Sequence, residues 1–210
     1  MTNWQKTLDR DILNWRDVTA AELPDHLYKW LEKTCWEQRN KKLDNLKMNS
    51  KLVGHIKEEF RIPEWPREFE EFVVKASVAG PTKNWYDRYE FNTEDRPIVF
   101  ENLWCNFQKK HEFNPPHSHG GALSFVIYLK VPEELKKENE EYKGLSAGPG
   151  GITFLYGQAE DYTIANHSFF PKEGDMYIFP AYLKHWVYPY KSDCVRVSVS
   201  GNVIDGVYLN

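Results

Sequence analysis

Two histidines one residue apart, His117 and His119, stand just before a strand-like run, Leu123 to Lys130. A third, His185, lies far downstream, and Arg196 follows it. Imidazole nitrogen is the commonest protein ligand for iron, zinc, copper and nickel. In extended backbone, residues two apart point the same way, so His117 and His119 can face one ion while Ser118 faces away. An isolated His-x-His also fits a polar turn with two exposed rings, and the motif alone leaves both open. Two placements favour a metal. The pair stands at the mouth of a strand, where barrels keep their sites, and His185 opens another strand after the run Gly174 to Pro180.

Arg196 belongs to a sharply alternating segment. Val195, Val197, Val199 and Val203 share one face; Arg196, Ser198, Ser200 and Asn202 share the other. The valine face belongs against a core, and polar groups inside a barrel need a reason. A bound carboxylate is one: a guanidinium grips it with two parallel hydrogen bonds, and Ser198 can add a third. An exposed charge or a pairing with an internal acid is the other. Tyr128 shares a face with Ser124 and Val126, opposite Leu123, Phe125, Ile127 and Leu129, and its hydroxyl can donate to the same carboxylate. Trp104, Asn106 and Gln108 share a face of an earlier strand that can line the pocket.

These residues need elements to hold them. Up to residue 96 the pattern is helical. Thr19 to Glu22 has the form of a capping box, and Pro24-Asp25 is a second start signal. Leu27, Trp30, Leu31 and Thr34 form one helical stripe. Leu43, Leu46, Val53, Ile56 and Phe60 form a second, and Trp65, Phe69, Phe72, Val73 and Ala76 a third, opened by Pro63 and closed by Gly80-Pro81. Three helices that brace a sheet are expected. From about Pro97 the period becomes two, with strands over 98–108, 122–131, 151–156, 161–165, 175–179, 185–190 and 194–203. Short, closely spaced strands indicate a barrel or sandwich. The Glu- and Lys-rich run Glu133 to Lys143 reads as a solvated insertion with a helical turn.

Bulk properties narrow the function. The 210 residues suit one compact domain: a helical extension over 1–96 on a β core over 97–210. A formal charge of −4 offers no basic surplus for phosphate backbones and disfavours nucleic acid as a partner. Three cysteines, Cys35, Cys105 and Cys194, with no Cys-x-x-Cys, argue against a disulfide framework and a thiolate zinc site. No apolar stretch reaches the ~20 residues that span a bilayer, and Met1 to Arg16 lacks a signal-peptide apolar region. The expected location is the cytoplasm.

The ordered set resembles a known family. Asn114 to His119, Leu123 to Pro132, Gly150 to Phe154, Pro171 to Pro180, His185, and Arg196 with Ser198 follow one another as in iron(II)/2-oxoglutarate-dependent dioxygenases. The likeness covers roughly 98–203 and is greatest to the prolyl-hydroxylase-like branch, including uncharacterised oxygenases common in tailed phages. It implies a mainly β fold, a double-stranded β-helix (a jelly-roll, cupin-like barrel) with an N-terminal helical layer. It further implies that His117 and His185 are the proximal and distal iron ligands. Arg196 and Ser198 would hold the far carboxylate of 2-oxoglutarate, and Tyr128 would take a cosubstrate-binding position; the strand-face reading adds Asn106 to the same cosubstrate pocket.

One departure stands out. The family pattern is His-x-Asp or His-x-Glu, and the third position here is His119. Three accounts are open: His119 is itself the third ligand, which strand spacing favours; or the frame is His119-Gly120-Gly121, with no side chain at the carboxylate position, as in related halogenases; or one histidine is not a ligand. The reaction implied by the resemblance consumes 2-oxoglutarate and dioxygen, releases succinate and carbon dioxide, and hydroxylates a C–H bond. The prolyl-hydroxylase likeness tilts the unknown substrate toward a protein or peptide side chain such as proline. The alternatives are a cupin-like three-histidine dioxygenase without 2-oxoglutarate and a non-catalytic jelly-roll module.

Overall fold

The computed structural model describes residues 18–41, 46–83, 87, 98–156 and 166–205. Eight strands build two facing antiparallel layers: β3 (Ile98–Gln108), β4 (Asn114–His117), β5 (Leu123–Lys130), β6 (Ile152–Leu155), β7 (Asn166–Phe169), β8 (Asp175–Pro180), β9 (Lys184–Val187) and β10 (Arg196–Asp205). In one layer the order is β8-β5-β10-β3; in the other it is β4-β9-β6-β7. Strands thus alternate between layers along the chain, save for the β6–β7 hairpin within one layer, which is the jelly-roll arrangement.

Two earlier strands extend the first layer to six. β1 (Thr19–Glu22) pairs with β8, and β2 (Glu59–Arg61) pairs with β3. The expected capping box is therefore strand β1. Thr19 to Glu22 lie opposite Ile178 to Asp175, and the Thr19 hydroxyl bonds that of Thr82.

Helix α1 (Asp25–Lys41) starts at the Pro24-Asp25 signal and ends on Arg39 and Lys41, charges that suit the helix dipole at each end. It buries Leu27, Leu31 and Cys35. Helix α2 (Arg67–Ala79) buries Phe69, Phe72, Val73 and Ala76, four of the five residues of the third stripe. Among the described residues of the second stripe there is no helix: Leu46 to Phe60 run instead through turns into β2, and Leu43 lies outside the described residues. Met48 N–H donates to the Glu59 carbonyl at 2.9 Å, His55 N–H donates to that of Phe113 at 2.8 Å, and the Asn49 amide bonds the Ile56 carbonyl. These bonds tie the segment to β2 and to the loop before β4, so its apolar spacing serves no helix face.

Strand β3 has the bounds expected from sequence, and β5, β6, β8, β9 and β10 lie within a few residues of theirs. β4 and β7 were not expected. The strand expected over 161–165 lies outside the described residues. Glu133–Glu141 forms a helix, α3, with only Leu135 buried, in keeping with a solvated insertion. No described helix is long and apolar enough to cross a membrane.

Alternation in the six-stranded sheet sorts residues into two cores. Leu123, Phe125, Ile127, Val197 and Val199 join Leu27, Leu31, Phe69 and Phe72 beneath the helices. Val126, Tyr128 and Tyr177 face Ile152, Phe154 and Val187 across the sandwich. The helices thus cover the outer face, and every second residue of β3, β5 and β10 turns into the space between the sheets.

Candidate metal and cosubstrate site

His117 and His185 are direct cross-strand partners on β4 and β9, with ring centres 4.3 Å apart. His119 lies just past β4, where its N–H donates to the Ala181 carbonyl at 2.8 Å. Its ring is 5.0 Å from that of His117 and 5.2 Å from that of His185. One nitrogen from each ring fits within 4.8 Å of the others. Among the described residues, no carboxylate joins the group.

Neighbouring carbonyls set the tautomers. His117 Nδ1–H donates to the Pro115 carbonyl at 2.7 Å, and His185 Nδ1–H to that of Leu183 at 2.9 Å. A carbonyl only accepts, so each neutral ring keeps its lone pair on Nε2. Burial, reinforced by neighbouring rings, pushes His119 down to about 4 and His185 well below the ordinary value; burial also lowers His117. The rings are neutral at pH 7, the form in which imidazole ligates a metal.

The same cavity, about 230 Å³, is lined by Arg196, Ser198, Tyr128, Asn106 and Trp104. Arg196 is 2% exposed. Its Nη1 donates to the Gly150 carbonyl at 2.6 Å, its guanidinium lies 5.2 Å from the Tyr128 ring centre, and its Nε has no partner. No carboxylate pairs with it among the described residues. The Tyr128 hydroxyl is also buried and unpartnered. Burial raises Tyr128 to about 12, so it stays a neutral donor. Asn106 Nδ2 donates to the Ser198 and Ser200 hydroxyls at 3.4 and 3.3 Å, which leaves the Ser198 proton free to point elsewhere. A buried cation with two idle donors beside it is expensive unless an anion completes it. A carboxylate fits that donor set.

Gln108 does not line the cavity: its amide donates to the Glu112 and Tyr188 carbonyls. Ser124 and Asn202 bond each other at 2.8 Å. Sequence reasoning missed Glu59, Asn114 and the 51–54 turn, all of which line the cavity. The alternation of Glu59 and Arg61 with Phe60 and Ile62 was the available signal, hidden because Phe60 had been assigned to a helix stripe.

Residues 102–202 match the family described as "Putative 2OG-Fe(II) oxygenase". No curated protein matches the chain. Among solved structures, the chain is similar to the viral collagen prolyl hydroxylase vCPH of Paramecium bursaria Chlorella virus-1 in its 2-oxoglutarate complex. The identity is 14%, the match covers 91% of this chain and 98% of that one, and the TM-score is 0.54. It is also similar to a Pseudomonas putida prolyl-4-hydroxylase (15% identity, 89% and 91% covered, TM-score 0.51). A third likeness is to a Trichoplax adhaerens prolyl hydroxylase in complex with a hypoxia inducible factor peptide (11%, 92% and 86%, TM-score 0.55). At these identities the structures establish the shared fold.

Proposed function

We propose that this chain is a 2OG-Fe(II) oxygenase, an oxidoreductase, in which His117, His119 and His185 hold iron while Arg196, Ser198, Tyr128 and Asn106 form the pocket for the distal carboxylate of 2-oxoglutarate. The observation that carries the assignment is Arg196: a buried guanidinium without an acid partner among the described residues, in one cavity with three converging imidazoles. Iron(II) with 2-oxoglutarate supplies oxidative decarboxylation by dioxygen, yielding succinate and carbon dioxide and delivering one oxygen atom to a C–H bond.

The chain's own residues do the positioning. Arg196 and the Tyr128 hydroxyl orient one end of the dicarboxylate, and Ser198 donates its free proton to the same group. The Pro115 and Leu183 carbonyls lock the rings of His117 and His185 with Nε2 presented. Phe154 and Phe179, with ring centres 5.9 and 4.7 Å from that of His185, keep water from that side. The ligand set differs from two histidines and a carboxylate by one negative charge. The His117–His185 cross-strand pairing favours His117 as a ligand over a frame that starts at His119. The substrate we favour is a protein or peptide side chain such as proline. That choice follows the fold likeness to prolyl hydroxylases, one of which is seen with a peptide.

The test is anaerobic titration of the iron(II)-loaded protein with 2-oxoglutarate, followed by the weak visible charge-transfer band of the chelate. Arg196→Ala should weaken 2-oxoglutarate binding by about 10- to 100-fold, the loss expected for a charge-assisted contact, with metal binding nearly intact. Unchanged 2-oxoglutarate affinity would show the pocket to be misassigned. Iron-dependent oxygen uptake without 2-oxoglutarate would select a three-histidine dioxygenase instead.

A further inference from the structure

Glu59 is an acid in the wall of this cavity for which neither the three-histidine cluster nor the cosubstrate pocket has a use. It sits on β2 opposite Asn106, which in turn lies opposite Ser198 on β10. Residues at these register positions turn into the sandwich, so Glu59 stands in one row with the proposed carboxylate-binding residues, on the far side of Asn106 from Arg196. It is 2% exposed, and its Oε2 has no hydrogen-bond partner. Its neighbour Glu58 points the other way and pairs with Arg39 and Lys109 at 2.7 and 2.5 Å. Among the described residues no cation pairs with Glu59; Lys51, in the same cavity wall, is exposed and forms no ion pair with it.

Two more acceptors are idle nearby. Asn106 Oδ1 and Asn114 Oδ1 are buried without partners, and both residues line the cavity. The turn that carries Gly54 closes over them: a Cβ at Gly54 would meet Asn114 Oδ1 at 2.1 Å and Glu59 Oε1 at 3.4 Å. Behind Glu59 lies Glu112, whose carboxylate accepts from the Lys57 and Lys109 backbone N–H groups and adds negative potential. Among the described residues this wall therefore holds three unsatisfied oxygens and, apart from the exposed Lys51, no cation to meet them. It is the electrostatic opposite of the Arg196 wall, and a second anion does not fit it.

We propose that Glu59, with the side-chain oxygens of Asn106 and Asn114, forms a substrate subsite that takes a basic nitrogen, an ammonium or guanidinium group carried by the molecule to be oxidised. The inference rests on the oxygenase assignment, since it makes this cavity the place where substrate meets cosubstrate. Burial and Glu112 hold the Glu59 carboxyl protonated up to about pH 8. A cation that enters must expel that proton and so leaves a signature that a purely structural carboxyl would not.

The test is calorimetric titration of the nickel(II)- and 2-oxoglutarate-loaded protein, and of the metal-free protein in parallel, with n-butylammonium and its neutral isostere n-butanol. For so small a probe a dissociation constant on the order of 1–10 mM is expected. At pH 7, comparison of buffers with different ionisation enthalpies should show nearly one proton released per n-butylammonium bound. Glu59→Gln should lose at least tenfold in n-butylammonium affinity and release no proton, with 2-oxoglutarate affinity unchanged. The inference is overturned if n-butanol binds as well as n-butylammonium, if Glu59→Gln binds both as wild type does, or if neither probe binds. The wild-type comparison of the two probes needs no variant and stands even if Glu59→Gln misfolds. Failure of 2-oxoglutarate to bind would count against the oxygenase site, and the metal-free titration would still decide the subsite.

Discussion

His119 occupies the position where a carboxylate is expected, and its ring completes the group that His117 and His185 begin. His119→Ala should lower nickel(II) or iron(II) affinity by at least about tenfold, the scale on which even a residue that merely supports a ligand acts. Metal titration of the two proteins checks this, and little change would return the ligand set to two histidines. Glu59 bears on stability as well as on recognition. In the unfolded chain its carboxyl loses its proton near the ordinary value of 4.5; in the folded chain it keeps it to about 8. The folded state binds the extra proton between those values, so this residue's contribution to stability falls as pH rises from 4.5 to 8. Glu59→Gln should therefore melt several degrees above wild type at pH 8.5 and nearly with it at pH 4.5, as read by thermal unfolding at both pH values. That His117, His119, His185 and Arg196 would meet in one cavity was legible because their types and spacing show in the sequence. Glu59 was not, because a single acid next to apolar residues carries no signal until its strand is known.

The elements turn on the alternation of β5 and β10. One face of each packs under α1 and α2, and the other supplies Tyr128, Arg196 and Ser198. Stability and chemistry thus divide by face. Phe69 of α2 has its ring centre 5.5 Å from that of Trp30, 5.9 Å from Phe100 and 6.0 Å from Phe125. Phe69→Ala should cost about 3–5 kcal/mol in urea unfolding, yet leave the 2-oxoglutarate dissociation constant of the folded protein unchanged. A large change in that constant would show that the outer layer sets the pocket geometry. The long alternating strands were readable because period two directly reflects a two-faced sheet. β1 and β4 were not. β1 imitates a helix start, and its strand state depends on β8, more than 150 residues away. β4 carries Pro115-Pro116, which argue against a strand; it is tolerated because it lies at a sheet edge with an irregular register to β9. The stripe had helical spacing by coincidence, and long-range backbone bonds decide the conformation of its described part, Leu46 to Phe60.

At the scale of the whole molecule, β10 lies between β3 and β5 and bonds to both along most of its length. It joins segments that are neighbours in space and about 70 to 100 positions distant in sequence. A chain cut after Cys194 should lack native structure by circular dichroism and by amide chemical-shift dispersion, since its central strand would be missing. A folded truncated protein would show that the remaining strands can close alone. The ribosome therefore cannot assemble this sandwich piece by piece. Until the residues up to 205 have left the exit tunnel, two strands made much earlier must wait with unmatched backbone edges. The protein gains its central strand and Arg196 together in one late event, so on the proposed assignment an unfinished chain lacks the guanidinium that would hold the cosubstrate.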